Sequence, residues 1–459
     1  MKEYDLIVIG SGAGLIVVEN ALQHGLRVAL VDKGPLGGTC LNVGCIPSKM
    51  LTYPADRIAE IGESEKLGIA ADIRGIDFRA IMERMRKTVR SGENRIREGI
   101  KYLEELDFYE GEGRFVGDYT LEIKGKTIRG EKIVIASGAR PSIPPLKGTD
   151  NVGFLTNETV LQLRDKPESM IIVGGGYIAA EYAHFFAAMG VKVIVLQRNE
   201  RLVPSEEPEI SALLKKEMAK RMQIYTGMEA TGVRGTETGI SVSVREAAGD
   251  KKLEFSAEII LLAAGRTSNA DILEVDNTGV KTGKDNYIKV NEYFETSKKN
   301  IWAFGDAIGK QMYRHVANRE ASLVWQNVLH DEKEKIAYLT APHAIFTHPE
   351  IASVGLTEGQ ARATFHPHEL LIGRARYSDV ARGEAMMEEG GFAKAIVEKD
   401  TKRILGFHII GPCASILIQE VVNAMANDGN IWSVARGMHI HPSLSEIIVS
   451  TFGRLEEAK

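Results

Sequence analysis

Cysteine is scarce: the chain has three in 459 residues. Tryptophan is as rare, with three, and aromatic residues make up only 7%. No apolar run approaches the roughly 20 residues that a membrane-crossing helix needs. Basic charge is not in excess, since 57 Lys and Arg stand against 62 Asp and Glu, for a net charge of -5. The first scarcity argues against a small secreted domain held by disulfides. The lack of basic excess gives no reason to expect nucleic acid or an anionic membrane as partner. Met1-Lys2-Glu3 runs straight into an expected strand from Tyr4 to Ile9, without an apolar signal segment, so a cytoplasmic protein is expected. What remains is ordinary for a soluble globular protein: 44% hydrophobic, 26% charged, and long enough for two to four domains.

Two of the three cysteines stand five positions apart, in GGTCLNVGCIPSK, residues 37–49. Five residues of regular helix rise about 7.5 Å. A disulfide needs its Cα atoms roughly 4.4 to 6.8 Å apart. Cys40 and Cys45 therefore bridge only if the backbone between them leaves the helix. Gly44 permits that, and Asn42 tolerates left-handed geometry. Pro47 suits the first position of a following helix. The stretch predicts a tight loop feeding a helix N-terminus with Cys45 at the junction, where partial positive charge favours a thiolate. Lys49 adds to that field. Two buried small residues and half a zinc site are the plain alternatives. Zinc ligands come in sets of four, and only Cys413 is left over, so no metal is expected. Cys413 itself reads as a buried apolar residue. In a cytoplasmic protein a strained, exchangeable disulfide is the better reading of the pair.

The chain contains an internal repeat. DLIVIGSGAGLIVVENALQHGLRVALVDKG starts at Asp5, and SMIIVGGGYIAAEYAHFFAAMGVKVIVLQRN starts at Ser169. Each reads strand, glycine turn, amphipathic helix, Gly, strand. Continuous apolar first strands are typical of buried parallel sheet. The glycine turn brings a pyrophosphate to the N–H groups of a helix N-terminus. One such turn is a weak signal; two in full context are strong. The first copy has Gly10, Gly12 and Gly14, with Leu15 where the third motif glycine belongs, a departure that loosens helix–strand packing. The second has Gly174, Gly176 and Ala179. Asp32, seven residues after Gly25, can accept from a ribose 2′-OH. The equivalent position after Gly190 is Gln197, followed by Arg198. That pair offers no carboxylate, and Arg198 suits a 2′-phosphate; otherwise Arg198 is a solvated surface charge. Two dinucleotide sites and a cysteine pair imply an electron relay from nicotinamide to flavin to disulfide.

These motifs resemble, nearly end to end, the class I pyridine nucleotide–disulfide oxidoreductases, which include dihydrolipoamide dehydrogenase, glutathione reductase, mycothione reductase and mercuric reductase. The resemblance implies an α/β fold: two Rossmann-like dinucleotide-binding domains plus a C-terminal α+β dimerisation domain. Its boundaries fall at about 1–147 for the FAD domain and 148–268 for the NAD(P) domain. A central segment, 269–337, completes the FAD site, and 338–459 forms the dimer. The resemblance makes Cys40 the thiol that attacks substrate and Cys45 the thiolate against the flavin. Lys49 and Glu181 pair near the flavin, Asp306 of IWAFGDA holds the ribitol, and IASGAR (135–140) closes the flavin domain. Tyr177 matches the tyrosine that shields the flavin until nicotinamide enters. Lys33, Gly38, Thr39, Ser137, Gly138 and Gly305 are further cofactor positions, as are Ile178, Gly265 and Arg266.

MHIHPSLSEII supplies His441 and Glu446, which match the family's proton-shuttling pair. Thiol–disulfide exchange consumes thiolates and releases thiols, so it needs such a base. His439 reads as a supporting residue, and His343 and His348 as structural ones. Within the family, GRLEEAK lacks the C-terminal cysteine pair of mercuric reductases. Dihydrolipoamide dehydrogenase is the leading expectation. An NADPH-dependent reductase of a low-molecular-weight disulfide, mycothione- or glutathione-type, is the alternative, favoured by Gln197, by RHVANREA and by the non-glycine at position 15. A flavin redox sensor or complex subunit without turnover is the reading from another class, and the His441–Glu446 pair argues against it. FAD and NAD(P)H, with NADPH favoured, are the implied cofactors. The implied partners are a small or protein-bound disulfide or dithiol and a second copy of the chain.

Overall fold

Leu6, Ile7 and Val8 are fully buried, as a strand sandwiched between helix layers requires. They belong to the strand Lys2–Ile9, which pairs in parallel with Val28–Asp32 on one side and Lys126–Ile135 on the other. The computed structural model describes residues 1–458. Its first sheet has seven strands. Leu106–Glu110 lies outside Val28–Asp32, while Thr120–Ile123 and Gly113–Gly117 extend the other edge. The long strand Lys126–Ile135 also pairs in parallel with Ile301–Ala303, so a segment far along the chain returns to this sheet.

The second sheet repeats the first on a smaller scale. Ser169–Val173 lies between Lys192–Gln197 and Ile259–Leu262, with Gln223–Thr226 outside, all parallel. The glycine turns superpose in their constraints. Gly10 has φ 107°, and a Cβ there would stand 2.2 Å from the Ala136 carbonyl oxygen. Gly174 has φ 127°, and its Cβ would stand 2.1 Å from the Ala263 carbonyl oxygen. Only glycine fits either place. The helices Gly14–Gln23 and Tyr177–Ala188 follow.

Three expectations need correction. Leu15 does not loosen the first helix. Gly14 makes the close approach, since a Cβ there would be 3.1 Å from a Val8 methyl, and Leu15 packs half-buried against the same core. IASGAR is not itself a strand: Lys126–Ile135 ends as it begins, and Ala139–Pro141 pairs instead with Arg266–Ser268. Gly138, at φ 69°, turns the chain out of the sheet between them. Pro47 is the third, not the first, residue of its helix, Cys45–Gly62. The first-turn N–H groups have no helical acceptor, so proline is tolerated there as well.

Beyond residue 340 lies a six-stranded antiparallel sheet. Its order is His343–Ile345, Ile351–Gly355, Ile404–Ile410, Phe392–Glu398, Leu370–Arg376, Leu455–Glu457. The helices Ala414–Ala426 and Glu446–Phe452 share one apolar core with it through Ile418, Val421, Ile447 and Ile448. A buried ion cluster joins this sheet to the second dinucleotide sheet's helices. Lys394, 2% exposed at its side chain, places Nζ 2.8 Å from Glu207 and Glu358 and 2.9 Å from Glu209. Those three carboxylates are close enough to share a metal ion, but the Lys394 ammonium stands among them, and Arg374 and Arg362 pair with Glu209 and Glu358. Among the described residues no helix is long and apolar enough to cross a membrane.

Candidate active site

The cysteine pair sits at a break between two helices. Gly38–Asn42 carries Cys40, Val43 and Gly44 leave helical geometry, and Cys45 begins Cys45–Gly62. Asn42, buried, donates to the carbonyls of Leu36 and Gly38 and so fixes the short helix to the glycine turn before it. Both cysteines are free thiols in the structure. They are in hydrogen-bonding contact and titrate as a pair. Cys45 is lowered to about 7, first by the hydrogen bond from Cys40 and then by the Lys49 charge, against the effect of burial. Cys40 is pushed up, first by that same hydrogen bond and then by burial. The first proton therefore leaves Cys45, and Cys40 donates to the resulting thiolate.

Lys49, one turn along, bonds both carboxylate oxygens of Glu181 at 2.8 Å. Its ammonium also lies 4.5 Å from the centre of the Phe346 ring, and the Phe346 N–H donates to Glu181 at 3.1 Å. Glu181 thus ties together the cysteine helix, its own helix and the start of the C-terminal region. Tyr177, one turn before Glu181, is half-buried, and desolvation raises its hydroxyl to about 12. Its neighbours in charge are Arg266, Asp306, Glu181 and Cys45, which places the ring at the centre of the site.

Asp306 lies in the short turn Gly305–Ile308, 3.5 Å from Arg266. Burial pushes its carboxyl up, and Arg266 opposes that. Glu320, fully buried on the helix Arg314–Leu329, accepts from the Gly305 N–H at 2.7 Å and from Tyr338. It holds the turn that presents Asp306, and no local motif marks it. Asp32 accepts from the N–H of Ser11 and of Gly34, each at 2.6 Å, which locks the first glycine turn against the end of its second strand. Lys33 beside it is exposed, and Thr39 lies in the cysteine-bearing short helix.

Several features fit a dinucleotide. Ser137 Oγ and Arg266 Nε are buried without a hydrogen-bond partner among the described residues. Gly12 and Gly38 meet so closely that a Cβ on Gly38 would stand 2.8 Å from the Gly12 Cα, leaving bare backbone at the helix N-terminus. Arg314, which the sequence reading passed over, places a guanidinium nitrogen 3.9 Å from where a Gly12 Cβ would be. It has no ion-pair partner among the described residues. At the second turn, Gly176 faces open space and Ile178 follows in the first turn of the helix. Gly265, at φ 126°, also has nothing within 4 Å of a Cβ, just before Arg266.

Gln197 is 5% exposed and points inward. Its side chain packs on Gly175 and donates to the Arg201 carbonyl at 3.3 Å. Arg198 is exposed at the mouth of that turn. His441 Nδ1 hydrogen-bonds Glu446 at 2.9 Å, and the other Glu446 oxygen accepts from the Ser443 N–H at 2.9 Å. Those two bonds, the Ser443 one first, hold the Glu446 carboxyl below the usual range. His441 is 71% exposed at its side chain, and among the described residues no hydrogen bond joins it to either cysteine. His439 bonds Glu420 at 2.6 Å, His343 bonds Glu206 at 2.6 Å, and His348 bonds Glu63 at 2.8 Å. Cys413 is a correction. It is exposed, at φ 60° before the helix Ala414–Ala426, because Gly411 and Pro412 turn the chain outward there.

Comparison with known proteins gives this geometry its context. Residues 4–321 match the family described as pyridine nucleotide-disulphide oxidoreductase, and residues 341–452 match its dimerisation domain. Mycothione reductase from Mycobacterium tuberculosis (strain H37Rv) is 35% identical, over 98% of each chain. Dihydrolipoyl dehydrogenase from Bacillus subtilis is 33% identical, over 97% of this chain and 96% of that one. Among solved structures, the HOCl-induced flavoprotein disulfide reductase RclA from Escherichia coli superposes with a TM-score of 0.86 at 25% identity, covering 98% of this chain and 99% of that one. With both domains matched and relatives aligned along their whole length, the chain belongs to the pyridine nucleotide-disulphide oxidoreductases.

Proposed function

We propose that the protein is an FAD-dependent reductase that works as a homodimer and carries electrons from NADPH through the Cys40–Cys45 pair to a low-molecular-weight disulfide. The observation that carries the reading is the hydrogen-bonded thiol pair, with Cys45 lowered to about 7 at a helix N-terminus beside Lys49. A bound flavin would supply two-electron exchange between nicotinamide and that disulfide. Gly10, Gly12, Gly14, Asp32, Ser137, Arg266 and Asp306 would hold it. Gly174, Gly176, Tyr177 and Arg198 would meet the nicotinamide dinucleotide.

The steps assigned to the chain balance as follows. Two electrons and one proton open the Cys40–Cys45 disulfide to a Cys40 thiol and a Cys45 thiolate. His441, oriented by Glu446, takes the Cys40 proton. The Cys40 sulfur attacks the substrate disulfide, forming a mixed disulfide and expelling one thiolate, which His441 protonates. The Cys45 thiolate then attacks the Cys40 sulfur, re-forms the internal disulfide and releases the second thiolate, which takes its proton from solvent. The sum is one disulfide, one NADPH and one proton giving two thiols and NADP⁺. The dimer supplies the base: His441 is exposed in its own chain, and Met438 and Ile440 beside it are exposed too. These apolar side chains on the family's dimerisation domain suit a buried interface.

Dihydrolipoamide oxidation by NAD⁺ is the second reading, favoured by the 33% identical dehydrogenase. The inward Gln197 and outward Arg198 favour NADPH, because position 197 carries no carboxylate for a ribose 2′-OH and Arg198 supplies a cation. A charge-assisted contact of about 1.5 to 3 kcal/mol corresponds to roughly ten- to a hundredfold selectivity. Steady-state kcat/KM ratios for NADPH and NADH, crossed with lipoamide, glutathione, coenzyme A and mycothiol disulfides, test both parts. Arg198→Ala should erase most of the preference. A wild type that favours NADH and turns over lipoamide alone replaces this reading with the second.

A further inference from the structure

Tyr313 lies beside Tyr177 and carries two histidine rings of its own, His315 and His343. The Tyr177 ring centre lies 5.9 Å from that of Tyr313, tilted by 43°. Tyr313 stands just before the helix Arg314–Leu329. Its ring is nearly parallel to His343, 5.4 Å away at 8°, and to His315, 5.8 Å away at 12°. Neither histidine is free to turn. His315 Nε2 bonds the Pro342 carbonyl at 2.7 Å. His343 Nε2 bonds Glu206 at 2.6 Å, and the other Glu206 oxygen accepts from Ser353 at 2.7 Å. Glu206 is buried. Tyr313 is therefore fixed by groups anchored in two other parts of the fold. Tyr177 has no hydrogen bond to its hydroxyl among the described residues, and its ring meets that of Tyr313.

We propose that Tyr313 is a positioning residue for Tyr177: the ring contact, backed by His343 and Glu206, stabilises the placement in which Tyr177 covers the nicotinamide face of the flavin. The inference rests on the reading of Tyr177 as that cover. The covered and open placements are in equilibrium, and nicotinamide binds the open one. Its apparent affinity scales with the open fraction. An aromatic pair contributes enough to shift that fraction roughly three- to tenfold. Leucine at 313 fills similar space without the ring.

The test uses the FAD-loaded protein. Binding of NADP⁺ to the oxidised enzyme is titrated at equilibrium, and flavin emission is recorded, since a tyrosine lying against a flavin quenches it. Tyr313→Leu should tighten NADP⁺ binding roughly three- to tenfold and raise emission. Tyr313→Phe keeps the ring and should match the wild type in both readings. In a Tyr177→Ala background, Tyr313→Leu should have no further effect. Unchanged or weakened binding in Tyr313→Leu, or an equal effect with and without Tyr177, overturns the proposal. If Tyr177→Ala alone changes neither reading, the cover reading itself has failed, and the proposal falls with it for that separate reason.

Discussion

At the residue scale, Cys45 shows what a side chain's neighbours add to its type. The sequence put a thiol at a helix start with a lysine near it. The fold adds the donating Cys40 thiol and fixes Lys49 on Glu181 at 2.8 Å. With a value of about 7, the Cys45 thiolate of the reduced protein forms as pH rises through 7, well below an ordinary thiol. Alkylation of Cys45 by iodoacetamide, followed by mass spectrometry, should therefore rise with a midpoint near 7. Cys40→Ala removes the main stabilising donor, so it should move the midpoint up further than Lys49→Met does. A midpoint that ignores both variants would show that neither group acts on the thiol. Cys413 taught the opposite lesson. Residue type alone suggested burial, yet its position after Gly411-Pro412 places it exposed at φ 60°. Type sets a preference, and the local path of the chain decides.

At the element scale, the repeat was legible because its signals are local. Apolar runs, glycine turns and helix faces all lie within about thirty residues of each other, and the parallel part of the first sheet shares its strand order with the second sheet. The ends of elements were less legible. Gly14 rather than position 15 makes the tight helix contact, and the strand before IASGAR stops at Ile135, because packing partners distant in sequence set those limits. The turn itself gives a sharp prediction. Gly10→Ala adds a methyl that would stand 2.2 Å from the Ala136 carbonyl oxygen, at φ 107°. The turn must open to admit it, which spoils the helix N-terminus for a pyrophosphate. The variant should purify without its yellow colour and bind added FAD at least tenfold more weakly, roughly the effect of one lost charged contact. Gly25→Ala has no atom within 4 Å of the new methyl and, though also at positive φ, should keep its flavin.

At the scale of the whole molecule, long-range contacts carry what the sequence hid. Lys394 meets Glu207 and Glu209 across more than 180 residues, and nothing near either end announces it. Lys394→Met would leave the buried Glu207 without its ammonium partner, while Glu209 and Glu358 keep Arg374 and Arg362, at a cost of about 3 to 5 kcal/mol. A lower melting temperature is expected, and adding Glu207→Gln should restore part of it; no drop would show the cluster to be relaxed. The active site itself raises the larger question, because His441 makes no hydrogen bond to either cysteine and is mostly exposed. If the site is completed across a dimer, the histidine of one chain serves the thiols of its partner. Cys45→Ser and His441→Ala should each be nearly dead in disulfide reduction. Unfolded and refolded together, they form some hybrid dimers. In a hybrid, one site takes both defects and the other takes neither. With random pairing and one intact site per hybrid, activity should return to about a quarter of wild type. If each chain instead completes its own site, both sites of every hybrid carry one defect, and mixing restores nothing. Sizing of the mixture under assay conditions shows that dimers formed, so a null result then counts against the shared site rather than against refolding.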